Sequence, residues 1–214
     1  MFKKISRPPA EKLAAYILLF LMAAGLLPVM YLGRYNHPTG DDYYYGAETR
    51  IVWEETGSIR RLLEEAVRGV ALQYERWQGS YSAMLLMYLP PNLFDYRAYR
   101  CVTSVILLLL TGSVFYLLKP VVCSLWKGTR SLWLILSALM VLLWVQTVPF
   151  QGESFFWYNG SMYYTGYYSL TLIFLGMALR YSLQPKRHHI PVMLVLAVFL
   201  AGGNYVSMLP ALLL

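Results

Sequence analysis

Five apolar runs, bounded by lysine, arginine, proline or loop-type sequence, constrain this chain more than any other feature of its sequence. The first, Leu13 to Leu32, contains no charged residue. At about 1.5 Å of rise per residue, a helix over about 20 residues reaches across a hydrocarbon layer of about 30 Å. The others are Cys101 to Leu118, Leu132 to Val148, Tyr167 to Ser182, and Pro191 to about Leu209, the last interrupted by Gly202-Gly203-Asn204. In lipid every backbone N–H and C=O must find a partner within the protein, and for single apolar runs the helix achieves this. Composition agrees: 58% of residues are hydrophobic and 14% charged, against about 45–50% and about 25% in soluble domains. The fold class predicted is all-α and polytopic. A single transmembrane domain over residues 1–214 carries about five spans, an outer loop over 33–100 with interfacial helices, and a second outer loop over 149–166.

Lys3, Lys4, Arg7 and Lys12 precede the first run. A signal peptide has a shorter apolar core and a small-residue cleavage site, whereas Pro28 and Tyr31 stand where cleavage would fall. A retained first helix with a cytoplasmic N-terminus is expected. With five spans, all six lysines (3, 4, 12, 119, 127 and 186) then lie on the cytoplasmic side. The loop 33–100 has no lysine, and its eight arginines nearly balance nine acids. The net charge of +7 therefore reflects the flanks of membrane helices, not a nucleic-acid surface. Cys101 and Cys123 fall near opposite ends of one span, roughly 30 Å apart, too far for a disulfide.

Within 33–100, Leu63, Ala66, Val67, Val70, Tyr74 and Trp77 recur at helical spacing, which predicts an interfacial amphipathic helix. Tyr81 to Leu89 is too short to span and is halted by Pro90-Pro91. If it did span, the lysine-bearing linkers would face outward, so a re-entrant or juxtamembrane piece is predicted. The run ends at Leu214 without a polar tail. Burying a terminal carboxylate is costly, so the chain is expected to be the N-terminal part of a longer protein.

Asp41-Asp42 is the one adjacent pair of aspartates, placed in the first outer loop after Pro38 and Gly40. Neighbouring acids in an extended loop point apart and can do two jobs. One can take a proton from an acceptor, and the other can hold an arginine or a divalent cation. A turn or helix cap is the plainer explanation of Thr39-Gly40-Asp41. Glu153 is the one acid after Asp95, and it sits in the second outer loop as a candidate second acid, sugar ligand or metal ligand. Trp157, Tyr158 and Asn159 follow it, in an aromatic-rich stretch that suits sugar rings or an interfacial belt. Arg34 is a candidate phosphate clamp, and Tyr43, a tyrosine suited to the interface, is a candidate substrate contact. Trp77-Gln78-Gly79-Ser80-Tyr81 is a polar break suited to lining a cavity. Asn204, in the broken fifth span, needs a buried partner or faces a cavity.

The basic N-terminus, single span, Gly-Asp-Asp-Tyr at 40–43 and juxtamembrane helices resemble the GT-C membrane glycosyltransferases, such as the protein O-mannosyltransferases and aminoarabinose transferases. The Gln-Gly-Glu-Ser-Phe-Phe-Trp-Tyr-Asn-Gly segment at 151–160 and the Gly-Gly-Asn at 202–204 resemble an uncharacterised bacterial group of these. The resemblance lies chiefly in topology. It implies transfer with inversion from a polyprenyl-phosphate sugar to a glycan, lipid or protein acceptor at the outer face of the inner membrane. Asp41 or Asp42 would be the base and Glu153 a supporting acid. A departure is that such transferases usually carry more than five spans. The rival expectation is a non-catalytic membrane subunit or transporter handling envelope glycans or lipids.

Overall fold

The computed structural model describes residues 9–212, with side chains over 10–209. Lys3, Lys4, Arg7 and the end at Leu214 lie outside the described residues. Among the described residues the chain is helical throughout, with no strand. Three helices are long and apolar enough to cross a membrane. The first is α1 (Pro9–Leu32), which runs on through a 3₁₀ turn to Tyr35. After it come α2 (Asp41–Thr56), α3 (Ile59–Arg76) and the short α4 (Tyr81–Met87). The second long helix is α5 (Val102–Pro120), extended by a 3₁₀ turn at Tyr96–Cys101 and a π turn at Val121–Leu125. The third is α6 (Arg130–Thr147).

Both thiols are free, which agrees with their places at opposite ends of the α5 segment. The fourth and fifth predicted spans are shorter helices. They are α8 (Tyr167–Leu183) and a pair, α9 (His189–Ala201) and α10 (Tyr205–Leu212), separated by Gly202-Gly203-Asn204. The thirteen residues of α9 rise only about 20 Å, short of a bilayer's hydrocarbon core.

The predicted outer loops are themselves mostly helical. In the first, α3 presents Leu62, Ala66 and Gly69 inward, while Arg60–Glu64 and Arg68–Glu65 pairs lie on its exposed side. Such surface pairs contribute little because solvent screens them, so burial of the inward face carries the docking. In the second, a π turn at Gly152–Phe156 ends at an extended Trp157, after which the short α7 (Tyr158–Ser161) and a π turn at Met162–Gly166 run on into α8.

The central core lies between α1, α5, α6 and α8, around Leu107, Leu110, Val141, Val145 and Phe155. A second contact ties α4 to the break between α9 and α10. The N–H groups of Ser82 and Ala83, at the start of α4, both donate to the Gly202 carbonyl at 3.0 Å. The Ser82 hydroxyl donates to the Phe199 carbonyl at 2.6 Å. One helix's unpaired N-terminal donors thus meet another's unpaired C-terminal acceptors. This approach leaves no room for side chains. A Cβ on Gly202 would stand 2.5 Å from the Tyr81 ring, and one on Gly203 would stand 2.2 Å from the Tyr167 ring. Tyr167 is fully buried and stacked on Phe199 at 5.5 Å, so its ring cannot yield.

Gly203→Ala is therefore expected to cost about 1–3 kcal/mol, as overpacking of a filled site does. Gly112→Ala, whose Cβ meets nothing within 4 Å on α5, is expected to be neutral or stabilising by up to about 1 kcal/mol. Thermal unfolding of both variants in detergent checks the difference.

Candidate functional site

Asp41 and Asp42 open helix α2, after a Gly40 whose φ of 52° is reached without strain by glycine. The extended loop predicted for the pair is a helix N-terminus instead, where carboxylates are favoured by the helix dipole. The cap-like explanation of Thr39-Gly40-Asp41 holds for the backbone.

The two acids do separate jobs. Asp42 is 1% exposed, and its carboxylate accepts three hydrogen bonds. Oδ2 takes the Thr39 N–H at 3.0 Å and the Tyr99 hydroxyl at 2.5 Å. Oδ1 takes the Asn159 N–H at 3.2 Å. Tyr99 in turn accepts the Tyr158 N–H at 2.7 Å. One carboxylate thus joins the turn before α2, the start of the α5 segment and α7. Its partners are a tyrosine and backbone N–H groups, where an arginine or a cation was the sequence expectation. Burial pushes the Asp42 carboxyl above the usual carboxylate range despite these bonds, with nearby Asp41 adding to the rise.

Asp41 is exposed and lies on the wall of a cavity of about 240 Å³. Trp77 and Gln78 enter this wall from the end of α3, Met84 and Met87 from α4, and Trp157 and Asn159 from the start of α7. Tyr45, one turn along α2 from Asp41, completes it. Burial raises the Tyr45 hydroxyl to about 12, so it stays protonated and able to donate at neutral pH. Gly160 is required at the wall because a Cβ there would stand 2.6 Å from the Trp157 ring and 2.9 Å from the Glu153 carbonyl.

Three polar atoms at this wall are buried without a partner: Asn159 Oδ1, Asn159 Nδ2 and Trp157 Nε1. Asn159 is 2% exposed, so solvent does not compensate it. A buried polar group without a partner costs about 1–3 kcal/mol. A ligand bearing vicinal hydroxyls would recover that cost, since an amide offers both donors and an acceptor. The indole and phenol faces of Trp77, Trp157 and Tyr163 add flat apolar surface.

The structure therefore brings Asp41, Trp77, Trp157 and Asn159 to one cavity, with Asp42 directly behind it. The remaining candidates lie elsewhere. Tyr158 uses its hydroxyl on the Leu86 carbonyl at 3.0 Å. Glu153 is exposed on its π turn and is not on the wall. Arg34 stacks over Tyr31 at 5.4 Å, and Tyr43 is exposed beside Tyr96. Asn204 is satisfied as the cap of α10, accepting the Ser207 N–H at 2.8 Å and donating to the Tyr163 carbonyl at 2.5 Å. Among the described residues, no three His, Cys, Asp or Glu side chains converge as a metal-binding set. Tyr99, the hinge of the Asp42 network, carried no signal in the sequence, because a tyrosine before a span looks like any interfacial aromatic.

Comparison with family models, with curated proteins and with solved structures gave no match.

Two outcomes are expected of Asp42. Asp42→Ala leaves three buried donors unpaired and lowers stability by at least about 1–3 kcal/mol. Because folding raises the Asp42 pKa, the folded state holds its proton to higher pH than the unfolded state does. Stability contributed by this group is greatest below the ordinary carboxylate pKa and is lost as pH rises through the raised one. Melting temperatures measured across that window should fall with pH in the parent and lose that slope in Asp42→Asn.

Proposed function

We propose that this protein is an inverting glycosyltransferase that moves a sugar from a polyprenyl-phosphate donor at the outer face of the inner membrane. The observation that carries this reading is the cavity in which Asp41 faces the unpartnered amide of Asn159 and the indole of Trp157. At about 240 Å³ it lies below the roughly 300 Å³ floor for drug-sized ligands, a scale that suits one sugar ring. Asn159 and Tyr45 hold the ring hydroxyls, and Trp77 and Trp157 flank its face. The Asp41 carboxylate takes the proton of the acceptor's nucleophilic group. That group bonds to the anomeric carbon as the bond from this carbon to the phosphate oxygen breaks. The electron pair leaves with the polyprenyl phosphate. Asp42 is a positioning residue, since its oxygens are occupied.

On the other side of α4 runs an apolar groove of about 530 Å³, bounded by Val67 and Val70 of α3, Leu85 of α4, and Val195 and Val198 of α9. In this reading the prenyl chain lies there, so that α4 separates the lipid side from the sugar side. The reading also takes α8, and α9 together with α10, as the fourth and fifth spans, which keeps every lysine cytoplasmic. A non-catalytic subunit that holds an envelope glycan in the same cavity is the second reading, supported by Asp41 being the one acid on the wall.

The test uses the full chain in detergent with a synthetic polyprenyl-phosphate sugar and a glycan or lipid acceptor. Asp41→Asn is expected to lower the transfer rate by about 10²–10⁴, the usual contribution of a positioned base, with melting behaviour unchanged. Asn159→Ala is expected to raise KM more than it lowers kcat. Equal transfer by the parent and Asp41→Asn would remove Asp41 from the chemistry. Binding of the sugar without transfer by the parent would favour the subunit.

A further inference from the structure

A second cavity, of about 560 Å³, opens at the other end of α5 and α8 from the Asp41 site. It lies where the α5 segment ends, α8 ends and α9 begins. Ser124 and Lys127 line it from the turn after α5, Arg180 and Gln184 from the end of α8, and Lys186 and His189 from the approach to α9. Lys127 reaches this place through a left-handed backbone, with φ of 55°.

The charge here is one-sided. Lys127, Arg180 and Lys186 are three cations on one wall, and no acid stands among the lining residues. Past Asp95 the sequence holds a single acid, Glu153, and it lies near the start of α8, not its end. Glu11 of α1 is engaged by the Thr129 hydroxyl. It flanks a different groove, the one lined by Lys12 and Arg130 between α1 and α6.

Two nitrogens at the cavity are also left without partners. Arg180 donates from Nη2 to the Tyr116 carbonyl at 2.9 Å and lies 4.2 Å over the Tyr116 ring. Its Nε is nevertheless buried and unpaired. His189 Nδ1 is buried and unpaired as well. Cations, a hydroxyl and an amide around one space suit an anion with several oxygens, and a guanidinium fork fits phosphate. Basic pockets between membrane helices at the cytoplasmic surface meet such anions as lipid headgroups.

We propose that this cavity binds a phosphate ester, with the headgroup of an anionic phospholipid of the cytoplasmic leaflet as its source. The lipid's phosphate sits among Lys127, Arg180 and Lys186, and its chains leave between α8 and the apolar side of α9.

Native mass spectrometry of the full chain in detergent, with equal phosphatidylglycerol and phosphatidylcholine, tests this. The parent should retain phosphatidylglycerol preferentially. Each cation removed in Lys127→Gln, Lys186→Gln and the double variant should lower that preference about fivefold, from about 1 kcal/mol per basic residue near the membrane surface. Arg130→Gln, on the other groove, should leave it nearly unchanged. Inorganic phosphate at millimolar concentration is the second probe. Displacement of the lipid by phosphate, or binding of phosphate without lipid preference but dependent on the same lysines, assigns the site to phosphate itself and supports the chemistry. Equal retention of both lipids by the parent with no phosphate binding would overturn the proposal. So would a preference that Arg130→Gln weakens as much as Lys186→Gln does, which would mark general surface charge. Because Lys127 and Lys186 make no packing contact comparable to Arg180 over Tyr116, unchanged melting of the variants is the control on folding.

Discussion

The packing of α2 against the start of the α5 segment and α7 depends on one buried carboxylate. Asp42 collects donors from three separate stretches of chain: Thr39, Tyr99 and Asn159. None of these contacts is replaceable by the apolar packing that holds α1, α5, α6 and α8 together, because each satisfies a specific N–H or O–H. The pull of those donors is opposed by the desolvation of a charge, and desolvation is the larger effect, which is why the pKa rises. The carboxylate is therefore a weak source of net stability at neutral pH and a strong source of geometry. Removing it, rather than neutralising it, is what leaves buried donors without partners.

That geometry turns an adjacent pair of acids into a division of labour. Once Asp42 is fixed inward at the first turn of α2, its neighbour Asp41 points outward, roughly 100° around the helix. The outward direction is occupied by the wall that Asp42 itself has assembled, with Trp157 and Asn159 held by the same network. The π turns on either side of Tyr158–Ser161 belong to the same arrangement. Such turns often occur at functional sites, and here they flank the segment that supplies the unpartnered amide. At the far end of α5 and α8 the polarity is reversed, with cations and no lining acid. The two cavities thus face opposite charges along one helical core.

Much of this was legible from the residues. The first three spans follow from length and hydropathy, because a helix in lipid has few other ways to satisfy its backbone. The short Tyr81–Leu89 segment was legible as non-spanning for the same reason, and the Trp77-Gln78 break was legible as a cavity wall. Other features were hidden because they depend on contacts distant in sequence. Tyr99 meets Asp42 across 57 positions, and no local pattern distinguishes it from an interfacial tyrosine. Gly202 and Gly203 were legible as a kink or a close helix contact, but the partners they admit, Tyr81 and Tyr167, were not. Asn204 was legible as needing a partner or facing a cavity, but which partner was not, since the Ser207 N–H becomes an orphan donor only once α10 begins there. Glu153 was singled out for being the one acid in its region, but rarity in sequence does not orient a side chain.

The central claim is that Asp42 gathers α2, the start of the α5 segment and α7 so that Asp41 and Asn159 face one sugar-sized cavity. Photocrosslinking with a polyprenyl-phosphate sugar that carries a diazirine on the sugar ring tests it most directly, with the labelled peptides mapped by mass spectrometry. The expected result is labelling confined to the stretches around Asp41–Tyr45, Trp77–Met87 and Trp157–Tyr164, lost in Asp42→Ala. Labelling spread over the lipid-facing helices, or confined to the groove between α3 and α9, would contradict it.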